Sequence, residues 1–110
     1  EGAYYSTGFS ADNSAPAVRD FVRRFRYRWD NTDPDSTAAL GYDAMMLYAD
    51  AIRRAGTTDR AALRAALAAT RDFAGVTGRI TIDKDRNATK SAVMMRVAAG
   101  RTEFVETVDP

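Results

Sequence analysis

STAALGYDAMMLYADAIRRAG, residues Ser36 to Gly56, is the segment around which the chain is organised. Leu40, Ala44, Leu47, Tyr48, Ala51 and Ala55 recur at helical spacing and predict one buried stripe. Met45, Met46 and Ala49 add a second apolar flank, so this helix needs partners on more than one side. Asp35 and Ser36 are N-cap residue types, and Arg53 and Arg54 suit the negative end of the helix dipole. Gly56 can take the left-handed conformation that ends a helix.

Upstream, Gly2–Phe9 is rich in Tyr and Thr and predicts a short strand. A turn over Ser10–Ser14 leads into a helix with Ser14 as its cap and Pro16 in its first turn. Val18, Phe21, Val22, Phe25 and Trp29 form its apolar stripe, and Asn31–Pro34 breaks it. Downstream, Thr57–Asp59 caps a third helix, Arg60–Thr70, which buries Ala62, Leu63, Ala66 and Leu67. The period then changes from 3.6 to 2. Phe73–Gly78 reads as a glycine-bounded loop, and Arg79–Asp83 as a strand with Ile80 and Ile82 inward. Asp83–Asn87 is a turn. Ser91–Ala98 and Thr102–Val108 complete an antiparallel meander.

Composition excludes several chemistries. The 110 residues contain neither Cys nor His, so no disulfide, typical zinc or copper site, or histidine-based triad can be built. Sixteen basic and fifteen acidic residues leave a net charge of +1, which argues against polyanion binding by the chain as a whole. No run approaches the roughly 18 apolar residues of a membrane span. No carboxylate pair sits in a setting that suggests acid–base work, so no catalytic residue and no cofactor are expected.

Four groups remain as candidates. Arg19, Arg23, Arg24, Arg26 and Arg28 interleave with Phe25, Tyr27 and Trp29, which is either a nucleic-acid face or a solvated helix face; the near-zero net charge favours the latter. Asp83-Lys-Asp85-Arg-Asn87 mimics the opening of a calcium loop, but Ala88 and Met94 stand where Gly and Glu are required, so a turn is expected and no metal. Met45–Met46 and Met94–Met95 read as core filling. Ser36, Thr37 and Tyr42 place two hydroxyls and an aromatic ring beside the free N–H groups of a helix start, where a ligand carboxylate can be met; capping plus a buried Tyr is the alternative.

Two pieces carry a resemblance: A-x-x-x-YDA, Ala38 to Ala44, and F-x-GVTG-x-I-x-x-D, Phe73 to Asp83. With the order of elements around them, the chain resembles the closing, C-terminal part of the type I periplasmic binding proteins, on the branch of leucine/isoleucine/valine-type substrate-binding components of ABC transporters. The resemblance implies an α/β fold: one N-terminal strand, three helices and the antiparallel tail, with residues 1–110 a single segment of a two-lobed domain. It also implies binding of an amino acid or similar small solute without chemistry, followed by docking on an ABC permease. A sensory domain of the same fold and a basic helical interaction module are the alternatives. One ligand-contact position of the family maps to Thr37. Many members carry an aromatic there, so aromatic packing of the ligand is not carried over to this chain. A periplasmic or extracellular location is implied, with a lipid anchor on the full-length protein as a further expectation.

The segment is also expected to be incomplete by itself. Gly2–Phe9 has no strand partner nearby in sequence, and the second flank of the central helix outruns what two other helices can cover. Such edges recruit another chain. A homodimer, or association with the upstream part of the fold, is therefore expected.

Overall fold

Asp35 starts the central helix. Its side chain accepts a hydrogen bond from Ala38 N at 2.8 Å, and Gly56 ends the helix at φ 67°. The computed structural model describes residues 1–110. Along the chain come β1 (Tyr4–Thr7), α1 (Pro16–Arg28), the central α2 (Ser36–Ala55), α3 (Arg60–Ala68), β2 (Phe73–Gly75), β3 (Gly78–Ile82), β4 (Ala88–Lys90), β5 (Ala92–Ala98) and β6 (Arg101–Val108). Asp59 caps α3 through Ala62 N, as its sequence predicts. Ser14 does not cap α1: the cap position is Ala15, which makes no side-chain cap bond, while Asn13 Oδ1 accepts from Ala15 N at 3.0 Å. Pro16 lacks an N–H, so the first turn of α1 has one fewer donor to satisfy.

The strands form two antiparallel three-stranded sheets, ordered β1-β5-β6 and β2-β3-β4. Two expectations are corrected here. Phe73–Gly75 is not loop but strand, paired Phe73 to Ile80 and Gly75 to Gly78. The N-terminal strand is not alone either: β1 pairs with β5, Tyr4 opposite Arg96 and Thr7 opposite Val93. Sequence distance hid this partner; β1 is an edge strand of its sheet, paired on one side only.

The core is small and local. Phe9, Val18, Phe21, Val22, Ala39 and Val76 make one buried cluster, with Phe25 and Tyr42 packed against it. Phe9 meets Phe21 edge-on at 5.8 Å, and Tyr42 lies 4.7 Å from Phe21. The stripe predicted for α1 is the one buried, except that Trp29 ends half out at 54 % exposure. Arg54 ties α2 to α3, donating to Ala66 O at 2.7 Å and Thr70 Oγ1 at 2.9 Å. Arg71 ties α3 to β3, donating to the carbonyls of Ala68, Thr70 and Ile82.

For α2 the predicted stripe is turned. The buried residues are Ala39, Asp43 and Ala51, whereas Leu40 and Tyr48 are exposed and Leu47 only half-buried. Met45 and Met46 are exposed, so the core-filling expectation fails for that pair; Met95 is buried and Met94 half-buried. The cause is a polar residue. Asp43, 2 % exposed, accepts from Val76 N and Thr77 N at 2.8 Å each and from Thr77 Oγ1 at 2.6 Å. One residue along a helix is a rotation of about 100°, so anchoring Asp43 inward turns Met45 to the far side. Leu40 and Met46, about 60° from Asp43, flank the inward face and are exposed because no other element of this chain covers them. Gly75 is part of the same joint: a Cβ there would stand 2.9 Å from Asp43 Oδ1 and nearer still to Oδ2 and Cγ.

Lys90 sits beside this joint. Its Nζ is shut from solvent without a hydrogen-bond partner, packed where a Cβ on Gly8 would lie 3.6 Å away. Burial pushes the ammonium pKa down from its ordinary 10.5, and the Asp43 carboxylate pulls partly against that.

Two outcomes follow from the joint. Asp43→Asn keeps shape but replaces one acceptor oxygen by a donor facing N–H or O–H groups, so it is expected to lose about 2–4 kcal/mol in urea denaturation. A midpoint equal to the parent's would show that the triple contact does not hold the fold. For Lys90 the folded pKa lies below the unfolded one, so keeping the ammonium buried costs stability at low and neutral pH. That cost fades as pH rises through the folded pKa towards 10.5. Lys90→Met is therefore expected to raise the thermal midpoint at neutral pH, with the difference narrowing in alkali; a lowered midpoint would show instead that Asp43 needs this counter-charge.

Candidate functional site

The start of α2 lies against β1, and the two hydroxyl-bearing segments meet there. Thr7 Oγ1 and Ser36 Oγ are 2.9 Å apart. Since Asp35 takes the Ala38 N–H, the first N–H groups of the helix, at Ser36 and Thr37, have no intrahelical acceptor. A cleft of about 420 Å³ opens beside them, and Tyr5, Thr7 and Ser36 form its hydroxyl side. Asp12, Asp33 and Asp35 also line it. Asp33 is neutralised by Arg26, whose guanidinium it holds above its ordinary pKa through their hydrogen bond. Asp35 is committed to the cap.

This cleft therefore offers hydroxyls and free N–H groups to an anionic or carbonyl group, and the Asp12 carboxylate to an ammonium group. It holds no nucleophile paired with a base, and no cluster of three or more metal-ligating side chains exists in the chain.

Of the three residues singled out in the sequence, one lines this cleft. Ser36 lines the cleft and binds Thr7. Thr37 is exposed at the helix start, outside the cleft lining. Tyr42 is turned the other way, its ring against Phe21, which is the structural role weighed as its alternative. Sequence reading missed Tyr5 and Thr7. Their alternation within β1 was visible, but nothing in the sequence told which face of that strand α2 would meet.

Three of the five arginines on the Arg-rich face of α1 are in ion pairs. Arg23 and Arg24 both pair with Asp20, and Arg26 with Asp33. Arg19 and Arg28 make no ion pair, and all five arginines are exposed, unlike the buried Val18, Phe21 and Val22. No helix is long and apolar enough to cross a membrane.

Comparison with known proteins gives this geometry its context. The family model described as periplasmic binding protein matches residues 1–102. Among solved structures, the chain is similar to the leucine-binding protein LivK of Thermotoga maritima, at 35% identity and a TM-score of 0.81, covering 100% of this chain and 31% of that one. It is similar to the branched-chain amino acid transporter substrate-binding protein LivJ of Streptococcus pneumoniae, solved in complex with isoleucine, at 34% identity and a TM-score of 0.81 over 97% of this chain and 30% of that one. An ABC transporter substrate-binding protein of Desulfitobacterium hafniense complexed with leucine matches at 29% identity and a TM-score of 0.83, over 96% of this chain and 31% of that one. No curated protein matches. The chain thus spans less than a third of the length of these structures. With the family model matched over nearly its whole length and the type I fold shared with these structures, this chain belongs to the periplasmic binding protein family.

Proposed function

We propose that this chain is the C-terminal part of a solute-binding protein that captures an amino acid or similar small solute and delivers it to an ABC permease. The observation that carries the reading is the family match over residues 1–102, together with relatives solved with leucine and isoleucine bound. The cleft at the start of α2 is the portion of the site this chain supplies. Ser36 offers its hydroxyl to the ligand from the cleft wall, Thr37 stands at the cleft's exposed edge beside the free N–H groups of the helix start, and Tyr42 acts from behind by fixing the helix against Phe21. Delivery requires no bond to be made or broken. The protein's place is periplasmic or extracellular, with a lipid anchor on the full-length protein, and no cofactor takes part.

The exposed apolar flank of α2, with Leu40, Met45 and Met46, supports the same reading. In a two-lobed protein that flank packs on the sheet of the first lobe, contributed by the rest of the chain. A second copy of this segment covering it would give the homodimer instead. Light scattering on the 110-residue chain distinguishes these states from a bare monomer of 12.1 kDa.

Small-molecule sites enclose roughly 70–90% of the ligand surface, and an open cleft of about 420 Å³ does not. In calorimetric titrations with leucine, isoleucine and valine, the 110-residue chain is expected to give no saturable heat and the whole protein to bind at least one of them. Ser36→Ala in the whole protein is expected to weaken that binding by about tenfold, the loss of one hydrogen bond to a charged group. Binding by the short chain alone, or an unaffected Ser36→Ala protein, would overturn the assignment of this cleft.

A further inference from the structure

A second groove lies on another side of the molecule, between α3 and the β3–β4 turn, with a volume of about 700 Å³. Its floor is apolar: Leu63 is buried, and Leu67 and Ile82 are half-buried beneath it. Its rim is cationic. Arg60 and Arg64 come from α3, and Lys84 and Arg86 from the turn. No carboxylate lines it. Of the acids nearest in sequence, Asp59 is engaged on Ala62 N and Asp83 on the N–H groups of Asp85 and Asn87, while Asp85, between Lys84 and Arg86, is exposed and lies outside the lining.

These four cations share one rim and none has a partner; Arg19, Arg28 and Arg101 lack ion pairs as well, but none of them lines this groove. Arg23, Arg24, Arg26, Arg53, Arg54, Arg79 and Arg96 are all in ion pairs. The four around the groove make neither an ion pair nor a side-chain hydrogen bond, although a chain with fifteen acidic residues has carboxylates to spare. Unpaired like charges around an apolar floor repel one another and are stabilised by an incoming anion. The cations stand on two walls, a helix and a turn, rather than in one plane, which suits a narrow segment entering the groove better than a flat anionic surface laid across it.

We propose that this groove docks an acidic amphipathic segment of a protein partner, an apolar side chain entering above Leu63, Leu67 and Ile82 while flanking carboxylates meet the four cations. The docking is independent of which solute the protein carries.

The test uses the whole protein and a fluorescent peptide with two leucines set four residues apart among glutamates, read by anisotropy. Saturable one-to-one binding is expected, weakened by salt and reduced about tenfold or more in Arg60→Glu/Arg64→Glu and in Lys84→Glu/Arg86→Glu. Arg19→Glu/Arg101→Glu changes net charge by the same amount at exposed positions away from the groove, and is expected to leave binding unchanged. All three variants are exposed-residue changes, and circular dichroism checks that each is folded. Absence of saturable binding overturns the proposal, as does equal loss in the Arg19/Arg101 variant, which would mean bulk charge attraction. Binding seen with the 110-residue chain but not with the whole protein shows an internal seam, and tighter, groove-dependent binding to phosphatidylglycerol vesicles than to the peptide shows a lipid site; either also overturns it.

Discussion

A single buried carboxylate sets the geometry of this chain. Asp43 lies in the interior of the longest helix, yet all three of its protein donors come from Val76 and Thr77, more than thirty positions further along. A buried, unpaired carboxylate is so unfavourable that the segment supplying those donors has to be brought to it. Once it is, the rotation of α2, the path of the chain between β2 and β3, and the side of α2 that meets the Phe21 cluster are no longer independent choices. The two sequence pieces that carry the family resemblance, YDA and GVTG, are the two halves of this joint. Gly75 belongs with them because the carboxylate occupies the space of its missing side chain.

This joint also separates what was readable in the sequence from what was not. The extents of the three helices followed from periodicity and capping residues, and Asp35, Gly56 and Asp59 perform the expected local work. The buried stripe of α1 was readable because its inward residues, Val18, Phe21 and Val22, are strongly apolar and stand at helical spacing. In α2 the two criteria conflict: the inward residues are two alanines and an aspartate, while leucine, methionine and tyrosine point out. A hydrophobicity pattern cannot anticipate that a charged residue will be the one turned inward, because the reason lies in a distant loop. Strand partners were unreadable for a similar reason. Alternation shows that Gly2–Phe9 and Ser91–Ala98 are extended but not that they touch.

The candidate cleft shows the same division. A helix start rich in hydroxyls marked Ser36 as a place where a polar ligand can be met, and local chemistry was enough for that. Whether Tyr42 joined it depended on which way α2 was turned, and the Asp43 joint turns the ring to the aromatic cluster instead. Thr7 became part of the cleft only through the packing of β1, whose own position rests on strands at the far end of the chain.

That last dependence bears on how the molecule reaches its fold. Gly2 N donates to Val97 O and Val97 N to Ala3 O, both at 2.8 Å, so the first residues are held by nearly the last. Closing so long a loop comes late, because its entropy must be spent before the contacts it permits can form. On a ribosome, β1 emerges before β5, so this pairing has to wait until β5 has been made. The helices can assemble around the Phe21 cluster in the meantime, whereas the cleft between β1 and α2 comes into being only when the two ends meet.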